Sequence, residues 1–206
     1  MKDYTISIDE LAYLSRAADK YGARLAFKYA WIVFYECGHV AIITTDTHRM
    51  HVVNLESGEL AYPNAVKRST PFDASLVLKY AKLHKASDVL LLVGDDASSV
   101  NVVYRSKHGE KREPAPIVEN PGTPSAFHRV VPTYQVIAGM RCEFAMNPRY
   151  VMDAQVTKGM AVSFRGESAT RPFILSEHKW AGTPWAVRTF AVVMPYFKPV
   201  THKEAI

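Results

Sequence analysis

The chain has 206 residues, 48% of them hydrophobic and 22% charged, which is enough apolar surface for a buried core and excludes a wholly disordered chain. Its 25 basic and 20 acidic residues leave a formal charge of +5, a mild excess compatible with a polyanionic partner and far from a histone-like tail. The excess is graded along the chain, from neutral over residues 1–24 and −2 over 25–60 to +3 over 61–113 and +4 over 114–206.

Ser7-x-x-Glu10 offers a capping box for a first helix over about Asp9 to Lys20, with Leu11, Leu14 and Ala18 on one face. The period then turns to two: Leu25, Phe27, Tyr29, Trp31, Val33 and Tyr35 alternate, and Cys37-Gly38 turns into a strand at Val40–Thr45. A second helix spans about Asp73 to His84, with Leu76, Tyr80 and Leu83 as its apolar stripe and Lys79 and Lys82 off it. Strands Asp88–Val93 and Val100–Arg105 flank a turn that starts at Gly94, and residues 107–125, rich in Pro, Lys, Glu and Gly, read as a long exposed loop. Asn147 as N-cap and Pro148 at the first helical position open a short third helix to Val156, with Gly159 beyond its end. Ala161–Arg165 and Pro172–Glu177 form another hairpin, and Thr189–Met194 is a last strand stopped by Pro195.

A strand, a helix, then two or three strands therefore recurs over roughly residues 1–60, 61–132 and 140–206, a repeat of element order rather than of residue identity. The class that follows is α+β, with antiparallel sheets and helices gathered on one face. On such a shared face Arg16, Lys20, Lys79, Lys82, Arg149 and Lys158 could reach phosphates without reading bases. An ordinary solvated helix face would carry the same residues.

Little in the chain points to catalysis. Asp46-Thr47-His48-Arg49 gathers acid, hydroxyl, imidazole and guanidinium, but no matching second cluster and no glycine-rich phosphate loop accompanies it, so no enzyme is expected. Gly94-Asp95-Asp96 between apolar strands is similar to the metal-binding turn of polymerase palms, where adjacent carboxylates hold Mg²⁺; a plain hairpin turn favours the same residues. A metal-dependent nucleotidyl transferase using Asp95 and Asp96 is thus a remote alternative. The eight histidines form no HxxxH or HExxH pattern, so no metal and no cofactor is expected. Cys37 and Cys142 cannot build a CxxC pair or a four-ligand zinc site and suit a reducing compartment. Met1 to Asp9 lacks a signal pattern, and the apolar run Tyr29 to Tyr35 falls far short of the ~20 residues that cross a bilayer, so a cytoplasmic protein without a membrane partner is expected.

Four segments together resemble the bacterial β sliding clamp family, the processivity factors of replicative DNA polymerase III. Thr44-Thr-Asp-Thr-His-Arg-Met50 is similar to the family's A-T-D-G-H-R-L, and Phe127-His-Arg-Val-Val-Pro132 to its Y-R-R-V-L-P. Phe144-x-x-Asn147-x-x-Tyr150-Val-Met-Asp153 resembles F-N-x-x-Y-L-L-D, and Val193-Met-Pro-Tyr196 the C-terminal V-M-P-M. The resemblance implies a DNA-clamp fold with one complete clamp-type domain over 1–132 and a partial one over 133–206, as in a shortened, phage-type member. It implies a ring that encircles double-stranded DNA without sequence preference, lined by the basic helices, and a nucleoid-associated protein. It also implies an apolar pocket that docks short peptides of DNA polymerase and other replication proteins. Carried over residue by residue, that pocket uses Tyr29, Thr45, Thr47, His48, Arg49, Met50, Arg129, Val130, Pro172, Val192, Met194, Pro195 and Tyr196. Thr47 stands where the family has glycine, and Phe197-Lys198 with eight further residues replaces the family's ending. Family chains have six units and close as dimers of about twelve; with about three units here, four copies would supply the same number, so a homotetrameric ring is expected. A clamp-like module that binds peptides without encircling DNA is the alternative.

Overall fold

The computed structural model describes residues 2–18, 25–56, 65–94, 99–115, 147–157, 163–166, 172–176 and 187–195. Strand β1 (Lys2–Ser7) runs into helix α1 (Ile8–Arg16) through the expected capping box: Ser7 Oγ accepts from the Glu10 amide at 3.1 Å, and the Glu10 carboxylate accepts from the Ser7 amide at 2.8 Å. Strands β2 (Ala30–Tyr35), β3 (Val40–Thr45) and β4 (Arg49–Glu56) follow as a meander. Strand β5 (Val66–Phe72) leads into α2 (Ala74–Leu83), capped by Asp73, whose Oδ1 accepts from the Leu76 amide at 2.9 Å. Strands β6 (Asp88–Val93), β7 (Val100–Ser106) and β8 (Gly109–Pro114) complete this second unit. The third contains α3 (Pro148–Asp153), with Asn147 Oδ1 accepting from the Arg149 amide at 3.0 Å, then β9 (Ser163–Arg165), β10 (Phe173–Ser176) and β11 (Thr189–Val193).

Each of the first two units lends its opening strand to the other. Strand β1 pairs antiparallel with β6, giving the sheet β1-β6-β7-β8, and β5 pairs antiparallel with β2. The second sheet then continues through the third unit in the order β5-β2-β3-β4-β11-β10-β9. Its joint is the antiparallel pairing of β4 with β11, from Thr189 opposite Val53 to Val193 opposite Arg49.

Helices α1 and α2 pack on each other. Beneath them lies the main core, in which Leu11, Leu14 and Val77 meet Ile6, Ile32, Ile42, Phe72, Val89, Leu91 and Val102 from both sheets. Burial of each such side chain contributes roughly 1.5–3 kcal/mol. A second cluster occupies the opposite face of the seven-stranded sheet, with Trp31, Val33, Tyr35, Ile43, Met50, Val52, Phe190 and Val192. Strand β2 is thus buried on both faces, which is why Ala30, Ile32 and Phe34 are as apolar as the odd positions.

Several local expectations change. The buried face of α2 is Ala74, Val77 and Ala81 rather than the expected stripe, with Leu76 and Tyr80 half-buried and Leu83 69% exposed, and α3 ends at Asp153 rather than Val156. Helix α1 stops at Arg16 instead of Lys20, which lies outside the described residues. Leu25–Lys28 is a 3-10 turn rather than strand, and Trp31 Nε1 donates to its Ala26 carbonyl at 2.8 Å. The start of the supposed 107–125 loop is strand β8, hairpinned to β7 through Lys107-His108; between Gly109 and Pro114 it carries only charged side chains, mostly exposed, so no apolar period marks it.

Candidate partner-binding seam and helix face

The turn between β3 and β4 is built by its own side chains. Asp46 Oδ1 accepts from the backbone amides of His48 at 3.1 Å and Arg49 at 3.0 Å. Thr45 Oγ1 accepts from the Thr47 amide at 3.1 Å and donates to the Arg49 carbonyl at 2.7 Å. Together they hold Thr47 at φ +77°, a left-handed conformation that strains a β-branched residue and that glycine adopts freely.

Strand β11 reaches this turn. Beyond Val193 the ladder continues as the Met194 amide donates to the His48 carbonyl at 2.9 Å. Because Phe173 faces Val193, Pro172 falls opposite Met194; because Trp31 faces Ile43, Tyr29 falls at the Thr45 end of the sheet. Thr47 and His48 are exposed, Met194 is 38% exposed, and Pro195, Thr45, Tyr29 and Pro172 are half-buried. Met50 and Val192 face each other across the joint, both buried. Ten of the expected pocket residues therefore lie toward one end of the seven-stranded sheet, spread from β2 to β10: Tyr29, Thr45, Thr47, His48, Arg49, Met50, Pro172, Val192, Met194 and Pro195. Arg129, Val130 and Tyr196 lie outside the described residues.

Arg49 plays a different part from its neighbours. It points to the helix side of β4, where Nε reaches Asp46 at 2.9 Å, Nη1 bonds Asp153, and Nη2 donates to the Arg16 carbonyl at 2.5 Å. Its guanidinium also lies 4.9 Å from the Tyr150 ring centroid. Arg16, expected on the basic face, instead donates to the Asp153 carbonyl at 3.2 Å and the Gln155 carbonyl at 2.5 Å, and is half-buried.

The end of α1 shows why these polar residues are buried. A helix C-terminus leaves carbonyls without partners. Here the Tyr13 carbonyl accepts from His51 Nδ1 at 2.7 Å, the Leu14 carbonyl from Thr44 Oγ1 at 2.9 Å, and the Arg16 carbonyl from Arg49. Arg49 also places positive charge at the negative end of the helix. His51 stacks on Tyr13 with ring centroids 4.2 Å apart, and its Nε2 is buried without a hydrogen-bond partner among the described residues. Burial pushes the His51 imidazole down to about 3, against the Tyr13 carbonyl bond, with Arg49 and Arg16 adding to the fall. Burial also lowers His39, partly offset by its bond to Asn54.

Farther along the joint, Arg188 Nε reaches Glu10 at 2.6 Å, while Nη1 and Nη2 donate to the carbonyls of Asn54 at 2.7 Å and Thr5 at 2.9 Å. Burial would raise the Glu10 carboxyl, but the Arg188 and Ser7 hydrogen bonds outweigh it and hold it below the usual range. Sequence reasoning missed the connecting roles of His51, Tyr150, Asp153 and Arg188; only the Tyr150–Asp153 motif marked two of them.

On the helix side, Lys79 and Lys82 are exposed on α2, and Arg149 is exposed on α3, 3.6 Å from Asp153. Lys20 and Lys158 lie outside the described residues. Because α1 packs on α2 and Arg16 ties α1 to the end of α3, the helices share one side of the molecule.

Paired units that exchange opening strands, with helices on one side and sheets joined edge to edge, define the DNA-clamp fold, and this chain has it. Solved structures that it matches include bacterial DNA polymerase sliding clamps. The clamp of Pseudomonas aeruginosa matches with a TM-score of 0.64 at 13% identity, over 95% of this chain and 66% of that one. The Caulobacter crescentus pol III beta matches with a TM-score of 0.63 at 14% identity, over 96% of this chain and 66% of that one. The Helicobacter pylori beta clamp bound to diflunisal matches with a TM-score of 0.64 at 10% identity, over 95% and 66%. At these identities the likeness is one of fold, and the chain spans 66% of the length of the clamps named here. No family model and no curated protein matches.

Proposed function

We propose that this chain is a subunit of a non-enzymatic, sliding-clamp-like processivity factor that encircles duplex DNA and docks short partner peptides at the β4–β11 joint. The observation that carries the reading is the meeting of two distant segments: the Met194 amide bonded to the His48 carbonyl, with Pro172 and Tyr29 at the same end. Strained Thr47 stands exposed beside this junction, and half-exposed Met194 offers an apolar contact next to buried Met50 and Val192.

The grip on DNA is loose by design. Lys79, Lys82 and Arg149 are long cations on helices, able to approach phosphates from a distance and to exchange them as the ring moves. With three units per chain, four copies would make a ring of twelve. Topological trapping tests this. Protein threaded onto linear duplex through free ends should survive a high-salt wash once both ends carry bulky blocks, and should leave when the duplex is cut. Equal loss from blocked and open duplex would refute encirclement and favour a module that only binds peptides, for which the seam alone speaks.

A further inference from the structure

Three large hydrophobic side chains are exposed among the described residues: Met194 at 38%, and Leu83 and Met152 at 69% each. Met194 stands at the β4–β11 joint. The other two are on the helix side, and each lies one turn beyond an exposed cation of its own helix. Leu83 follows Lys79 by four residues and Met152 follows Arg149 by three. Such spacings put both members of a pair on one helix face, about 5–6 Å apart. We infer that Leu83 and Met152 are the apolar half of the duplex contact: each rests on a deoxyribose face while the cation beside it holds a neighbouring phosphate.

The charge around them selects this occupant. Lys79, Lys82 and Lys85 are exposed, α2 contains no acidic residue, and none of these lysines makes an ion pair among the described residues. On α3 the one carboxylate, Asp153, is already bonded to Arg49 and lies 3.6 Å from Arg149. An apolar side chain among unneutralised cations suits a polyanion that also offers apolar surface. Duplex DNA does so, because its sugars alternate with its phosphates. A second copy of the chain seated here about a two-fold axis would instead set lysines against lysines.

The contact also suits movement along the duplex. A sugar face recurs at every nucleotide and is the same for all four bases, so a side chain that leaves one meets the next. Insertion between base steps would kink the duplex and arrest it, whereas contact with the sugars does not.

The two halves of the grip differ in their response to salt. Phosphate contacts release counterions, so their contribution falls as salt rises, while burial of an apolar side chain releases none. Recovering roughly half of a full side-chain burial corresponds to about three- to tenfold in affinity for each residue.

This inference rests on the clamp reading and names further residues of the same helix face. Fluorescence anisotropy of the full chain on a short labelled duplex, from about 50 to about 200 mM salt, tests it. Leu83→Gln and Met152→Gln should each lower affinity about three- to tenfold at every salt concentration, leaving the log–log slope unchanged. Circular dichroism and the mass from light scattering should match the wild type, since both side chains are exposed and glutamine favours helix. Wild-type affinity in the double variant would overturn the inference, as would a loss that appears only as a changed slope. A lower mass in the variants would also overturn it, by assigning the two side chains to a contact between copies. A wild type that binds no duplex would remove the clamp reading itself, whereas wild-type binding that both variants retain in full removes only this contact.

Discussion

Lowering the pH from about 7.5 to about 5 should weaken the fold through His51. In the unfolded chain an imidazole titrates near 6.5 and takes up a proton over this range. In the fold, His51 is fully buried under Tyr13, its Nε2 has no hydrogen-bond partner among the described residues, and its pKa is pushed down to about 3. The folded value lies below the unfolded one, so its contribution is complete above about 6.5 and is lost as pH falls. The loss runs at roughly 1.4 kcal/mol per pH unit and reaches about 2 kcal/mol by pH 5. His39 is shifted in the same direction and adds to the loss, whereas Glu10 and Glu113, held below their ordinary values, lose theirs as pH falls from the ordinary carboxylate range downward. Urea midpoints for the wild type and His51→Gln across this window measure the difference. The glutamine amide can still donate to the Tyr13 carbonyl but does not titrate, so the variant should lose about 2 kcal/mol less than the wild type between the two pH values. An equal loss in both proteins would mean that His51 charges within the fold, and the account of its burial would be wrong.

Arg49→Ala should cost about 2–3 kcal/mol in urea unfolding, because it takes the buried guanidinium away from Asp46 and Asp153 and frees the Arg16 carbonyl; a loss no greater than that of an exposed ion pair would contradict its role as the hub of the joint. Thr47→Gly should raise stability by up to about 1 kcal/mol by relieving the left-handed threonine, and an unchanged or lower midpoint would show that the turn holds no strain there. Lys79→Glu with Lys82→Glu should weaken DNA binding and reduce the magnitude of its log–log salt slope by about 2, and an unchanged slope in filter binding would place those lysines away from phosphate.

Much of the fold is legible where local chemistry decides structure. Ser7 and Glu10, Asp73, and Asn147-Pro148 announce helix starts because caps act within one turn. The end of α1 was not legible, since Arg16 has no helical stop signal and its length is set by partners on distant strands: Thr44, Arg49 and His51 take up its last carbonyls. Strand β2 shows a related limit. Alternation among its odd positions suggested one buried face, but Ala30, Ile32 and Phe34 fill a second, and only the pairing of sheets reveals that both are covered. The likeness of short segments names residues that lie at this end of the sheet, but it also puts Arg49 among the pocket residues, and helix spacing puts Arg16 on the basic face. Their guanidiniums bind carboxylates and carbonyls inside the joint because a buried helix end and Asp153 supply acceptors that linear spacing does not display.

Negative-stain electron microscopy of the assembled protein tests the clamp reading most directly. Particles should be closed rings with a central opening wide enough for a duplex and with the symmetry of four copies. Solid particles, or monomers alone at concentrations where the chain is otherwise well folded, would contradict it.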